Sequence, residues 1–144
     1  MKLEITKISD LDVEEITKNA LEEFIKRLKK FAGDNLISVI LFGSMARGDY
    51  DKESDTDVFI LLDKGKKNIN NISHDIVDIA YDTNEAVNNF DVYISPFVQA
   101  WDGLMEKYKG ISWWRLKPIL YDIADEGKIL YAGRRAKDID FFKS

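Results

Sequence analysis

Two aspartates one residue apart, Asp55 and Asp57, stand in the segment SDTDVFILL. If that segment is a strand, they share a face, with Cα atoms roughly 6.5–7 Å apart. Two carboxylates so placed can hold a hard divalent cation through oxygen ligands. Ten residues, 45–54, separate this pair from Gly43-Ser44. Gly43 allows a tight backbone turn and the close approach of a ligand. Ser44 puts a hydroxyl at the start of a helical turn, where backbone N–H groups point outward and suit an anion. Arg47 adds a planar donor that matches phosphate. A third acid, Asp91 in FDVYIS, joins the pair if its strand lies beside theirs. Three clustered carboxylates repel one another strongly. Two metal ions about 3.5–4 Å apart would turn that repulsion into binding, clamping a nucleoside triphosphate and an attacking hydroxyl. The chemistry would be in-line attack on phosphorus, helped by positioning and charge neutralisation.

The elements that must hold these residues read as an α/β alternation. Apolar residues at helical spacing from Val13 to Leu28 predict a helix over 12–31, closed by Ala32-Gly33-Asp34-Asn35. LISVILF, residues 36–42, is too short and β-branched for a typical helix and predicts a buried strand. A helical turn over 44–48 and a polar loop over 50–54 follow. The second strand is expected over 56–62, with Val58, Ile60 and Leu62 inward, and a helix over 72–89. A third strand is expected over 90–95, ended by Pro96. Helices over 97–109 and from 113 or 118 to 126, then a short strand over 128–132, complete the pattern. Strands alternating with helices give an α/β (α+β) domain with a mixed sheet flanked by helices.

Composition narrows the possibilities. With 144 residues, one domain is expected: a core over about 36–95, C-terminal helices over 97–131 and a short tail over 132–144. There is no cysteine, so a disulfide scaffold, a thiol nucleophile and a cysteine metal site are excluded. One histidine excludes a His-rich site. The 26 acids against 21 bases argue against a protein that coats DNA through a basic face. Asp49, Asp51 and Glu53 crowd the loop before Asp55 and read as solvating charges. No apolar run approaches the roughly 20 residues of a membrane-spanning helix, and the start shows no secretory pattern, so a cytoplasmic location is expected. Gly43 to Gly48 fits G-x-x-x-x-G, but Asp49-Tyr50 stand where a P-loop has Lys-Ser/Thr. No G-x-G-x-x-G occurs, so a dinucleotide site is not indicated.

GSMARG, ten residues from Gly43-Ser44 to Asp55, then SDTD, resembles the minimal nucleotidyltransferases of the DNA polymerase beta-like superfamily. The resemblance covers about residues 36–95, and PILYDIADEGKILY, residues 118–131, is similar to the family's closing helix and its EG-x-x-LY ending. It implies the nucleotidyltransferase fold. It implies an enzyme that transfers a nucleoside monophosphate, AMP from ATP, to a hydroxyl and releases pyrophosphate. Asp55 and Asp57 then match the metal-binding pair for two Mg²⁺ ions, and Asp91 the third carboxylate and base for the acceptor. Gly43, Ser44 and Arg47 match the triphosphate-binding turn. Arginine often stands in the family where this chain has Met45, which leaves one phosphate-side cation fewer. Members of the family also act as the antitoxin of a pair whose other half is a small helical HEPN ribonuclease. The resemblance thus implies such a partner, modified on a tyrosine hydroxyl, or else a homo-oligomer. The alternative is a non-catalytic nucleotide-binding or interaction module, or an antitoxin that works by occluding a helical partner.

Overall fold

A computed structural model describes residues 3–107 and 110–138. Its strands are β1 (Glu4–Ile5), β2 (Leu36–Phe42), β3 (Thr56–Leu62), β4 (Ile94–Ala100) and β5 (Lys128–Ala132). Its helices are α1 (Glu15–Ala32), α2 (Ser44–Arg47), α3 (Ile69–Asn88), α4 (Trp101–Lys107) and α5 (Pro118–Glu126). The strands form one mixed sheet in the order β1-β5-β2-β3-β4. β3 runs antiparallel to β2 and parallel to β4. The parallel pair needs a long crossover, and α3 supplies it.

β2 is buried along its whole length, and β3 everywhere but at Asp57, because both faces of the sheet are covered. On one face α1 and α3 lay Leu21, Phe24, Leu28 and Ile76 against Val39, Leu41, Val58 and Ile60. On the other, α5 and a single turn at Trp113–Arg115 lay Leu120, Ile123 and Trp113 against Ile37, Ile40, Phe59 and Leu61. Phe59 sits between Phe97, 5.7 Å away, and the parallel ring of Trp113 at 6.4 Å. Burying each such side chain is worth roughly 1.5–3 kcal/mol, so α5 is fixed to the sheet by its apolar stripe.

β2, β3, β5 and the short α2 lie where the sequence pattern puts them. Three expectations need correction. The third strand does not start at Phe90: Asn89 caps α3 in the left-handed conformation, and Phe90 follows with φ 68°. The Phe90 N–H closes the helix end on the Asn84 carbonyl at 2.9 Å, and its ring packs on Tyr81 at 5.1 Å. The strand therefore begins at Ile94. Nor does Pro96 end it; β4 is an edge strand, where a residue without an N–H is tolerated. Residues 97–100, read as helix, are strand instead, and α4 begins at Trp101. Residues 108 and 109 of that expected helix, and 139–144 of the expected tail, lie outside the described residues. The two-residue β1, paired with β5, carries too little pattern to be read from sequence.

Candidate active site

The site is built where β2 ends and β3 begins. Gly43 turns the chain out of β2 at φ 76° and starts α2. A side chain there would be strained on two counts. The φ is left-handed, and a Cβ would stand 2.5 Å from Asp57 Oδ2. The Asp57 carboxylate therefore lies directly against the Gly43 backbone. This contact joins the two halves of the motif across the antiparallel ladder, where Phe42 pairs with Asp57.

Asp57 alternates with Thr56 and Val58, so its side chain leaves β3 on the α5 face. It is half-buried and Asp55 is exposed. Burial, first, and the nearby Asp55 charge, second, push the Asp57 carboxyl above the usual aspartate range; Glu126 pushes the same way and Arg47 opposes. Arg47 is not bound to either aspartate. Its Nε donates to Asp49 Oδ2 at 3.1 Å, and its Nη1 donates to both oxygens of Glu126 at 3.0 Å. These bonds hold the guanidinium still more firmly protonated than usual. Glu126 Oε1 also accepts the Gly43 N–H at 3.1 Å. Ser44 is half-buried at the first position of α2, and its carbonyl accepts the N–H groups of Gly48 and Asp49.

Five of the six expected site residues thus meet: Gly43, Ser44, Arg47, Asp55 and Asp57. Asp91 lies outside β4. It is exposed in the bend before β4 and lines a recess with Thr17, Tyr50, Ser54 and Thr56. Ser54 and Thr56 flank Asp55, but Thr56 faces the side of β3 away from Asp57. Among the described residues no three His, Cys, Asp or Glu side chains come together to hold a metal ion. The late start of β4 sets Ser95, not an acid, beside Asp57, and Asp91 lies three residues before the strand. Glu126 went unread as a site residue. Its signal was the glycine after it: Gly127 packs so close to Ile40 and the Ile123 carbonyl that no Cβ fits. That close approach brings the end of α5 down onto the turn.

The donor chemistry at Asp55 and Asp57 suits a hard divalent cation: carboxylate oxygens, partly exposed, with burial first and the Asp55 charge second raising the protonation of Asp57. The pair fits such an ion, which would supply charge neutralisation to a phosphate group.

A model of the nucleotidyltransferase domain matches residues 21–123. The chain belongs to this family. Its members share the DNA polymerase beta-like fold, and the chain is accordingly a nucleotidyltransferase, an enzyme that moves phosphorus-containing groups. It is 31% identical over 121 residues to "Putative protein adenylyltransferase MJ1305" of Methanocaldococcus jannaschii, covering 82% of this chain and 74% of that one. A crystal structure of a toxin-antitoxin with AMP-PNP shares its fold at a TM-score of 0.51 and 20% identity, over 85% of this chain and 82% of that one. A mutant of the toxin-antitoxin MntA-HpeT shares it at a TM-score of 0.51 and 16% identity, over 87% and 82%. Among the described residues no helix is long and apolar enough to cross a membrane.

Proposed function

We propose that this nucleotidyltransferase moves AMP from ATP to a hydroxyl group carried by a partner protein. The observation behind the reading is the Asp57 carboxylate packed against the Gly43 backbone, which sets an acidic pair beside an anion-binding turn. A nucleotide triphosphate would lie along the turn, with Ser44, the turn backbone and Arg47 toward its phosphates. Asp55 and Asp57 would hold Mg²⁺, which offsets the charge of the phosphates. The two aspartates also exclude a free anion from the site when no cation is present. The hydroxyl of the acceptor would approach from the open side of Asp55, and pyrophosphate would leave along the turn. AMP and a protein acceptor are favoured by the 31% identical relative named as a protein adenylyltransferase. A protein partner is favoured by the toxin-antitoxin structures that share the fold; that it is helical and of the HEPN kind is what the family resemblance implies. One domain spanning the chain, with the acceptor site supplied by the partner, belongs to the same reading.

The test is incubation with ATP, Mg²⁺ and a candidate partner, chosen as a short helical protein from a reading frame next to this one, followed by intact-mass measurement of both proteins. A mass gain of one AMP on the partner, abolished by Asp57→Asn, is the expected result. Partner inhibition that survives the loss of both aspartates, without a mass gain, would mean occlusion instead. Asp91→Asn should slow transfer by well under the roughly 100-fold that follows removal of a group acting on the reacting atoms. A larger loss would place Asp91 in the reacting cluster.

A further inference from the structure

The contacts of Glu126 go beyond what holding α5 requires. Leu120, Ile123 and Ala124 already fix that helix to the sheet, all of them buried. Glu126 is the last residue of α5, and its side chain is only 19% exposed. It stands close enough to Asp57 for the two charges to act on each other unfavourably. A further acid beside an acidic pair is destabilising unless it binds something. What it binds is the turn: the Gly43 N–H at 3.1 Å and Arg47 Nη1 at 3.0 Å to each oxygen. Asp49 takes Arg47 Nε at 3.1 Å. With Nε and Nη1 engaged, Nη2 and its two N–H groups are left to meet a phosphate oxygen.

We propose that Glu126 is a positioning residue for the nucleotide: it sets the Gly43 turn and the Arg47 guanidinium in the arrangement that receives a phosphate. Charge-assisted bonds to a part-buried carboxylate hold geometry better than bonds to water. Arg47 is 45% exposed on its side chain and would otherwise sample many rotamers. Fixing it beforehand removes that ordering cost from nucleotide binding. The inference rests on reading the turn as a nucleotide-phosphate site. The opposite role is also chemically defined: a carboxylate on these donors could act as an anion stand-in that blocks phosphate.

Calorimetric titration of the full chain with AMP-PNP and excess Mg²⁺ separates these outcomes. Glu126→Gln should weaken binding by about tenfold, with the melting temperature within a few degrees of wild type. In an Arg47→Ala background the same change should have little further effect, because the two residues act as one unit. In transfer assays KM for ATP should rise while kcat stays within about threefold. Glu126→Asp, which keeps the charge and shortens the reach, should bind between Glu126→Gln and wild type, and serves if the glutamine variant does not fold. Unchanged binding in Glu126→Gln would reduce Glu126 to a structural contact, and tighter binding would make it a blocker; either overturns the proposal. If wild type binds no AMP-PNP, the nucleotide reading of the turn fails, and this inference with it. Wild-type binding together with an indifferent Glu126 removes the inference alone.

Discussion

β3 has charged groups at both ends, and the two ends are put to opposite uses. Beyond Leu62 the loop Asp63–Asn68 and the start of α4 form a closed set of pairs. Lys66 bonds to Glu106, and Asp63 bonds to Arg135 at 2.8 Å. The Asp102 carboxylate accepts the N–H groups of Gly65, Lys66 and Gly103 at 2.8–3.2 Å. Asn35 and Lys64 exchange two bonds of 2.9 Å. A recess of about 270 Å³ opens there, lined by Lys66, Gln99, Leu104 and Lys117. Around Thr56 the balance is uneven: the Arg47 guanidinium is taken up by Glu126 and Asp49 beside Asp55 and Asp57, and the Asp57 carboxyl is pushed up first by burial and then by the Asp55 charge. A recess is space, whereas unbalanced charge held against a backbone turn is a demand for a ligand. The second feature is the better guide to chemistry here.

If that contrast is right, removing the acidic pair has the largest effect. Asp55→Asn with Asp57→Asn should cut transfer by about 1000-fold or more, since cation-based charge stabilisation goes with it. The double variant should keep its fold, as followed by circular dichroism and thermal melting. Gly43→Ala comes next. The left-handed φ and the Asp57 carboxylate both oppose a methyl group, so stability in urea titration should fall by about 1–3 kcal/mol. Asp57→Ala in the same chain should recover part of that loss, because one of the two obstacles is gone.

A smaller effect follows from the raised Asp57 pKa. The native state binds the Asp57 proton more tightly than the unfolded chain does. The resulting stability is therefore present in acid and is lost as pH rises from the ordinary aspartate range through the raised native value. Asp57→Asn should melt slightly higher than wild type at neutral pH, by no more than about 2 °C given partial exposure and screening. The gap should close in acid when both are melted in a chelator. A higher melting temperature for wild type at neutral pH would contradict the charge imbalance. At the other end of β3, Lys66→Ala should change stability by less than about 0.5 kcal/mol and leave transfer within twofold. A large loss of transfer there would mean that the recess, not the acidic end, receives substrate.

The sequence was most legible where geometry follows from short-range spacing. LISVILF and TDVFILL have the apolar, β-branched character of buried strands, and Gly43 permits the tight turn that ends the first of them. Antiparallel pairing then sets Asp57 against that turn. Asp91 lay one step further, across a helix and a parallel strand. The helix was expected to end at 89, as it does, but the alternating residues of FDVYIS read as strand from the next residue on, and the strand was read four residues early. Glu126 went unread for a different cause. Its role depends on how the α5 stripe packs on the sheet; Gly127, in the EG-x-x-LY ending, marks the close approach but does not by itself name the acid before it as a site residue.

The central claim is that the acidic pair and the Gly43 turn act together as one nucleotide site. Its most direct test is calorimetric titration of Mg²⁺-ATP analogue into wild type and into the Asp55→Asn, Asp57→Asn double variant. Mg²⁺-dependent binding by wild type, lost in the double variant while its fold is retained, is the expected result. Equal binding by both, or binding that ignores Mg²⁺, would contradict it.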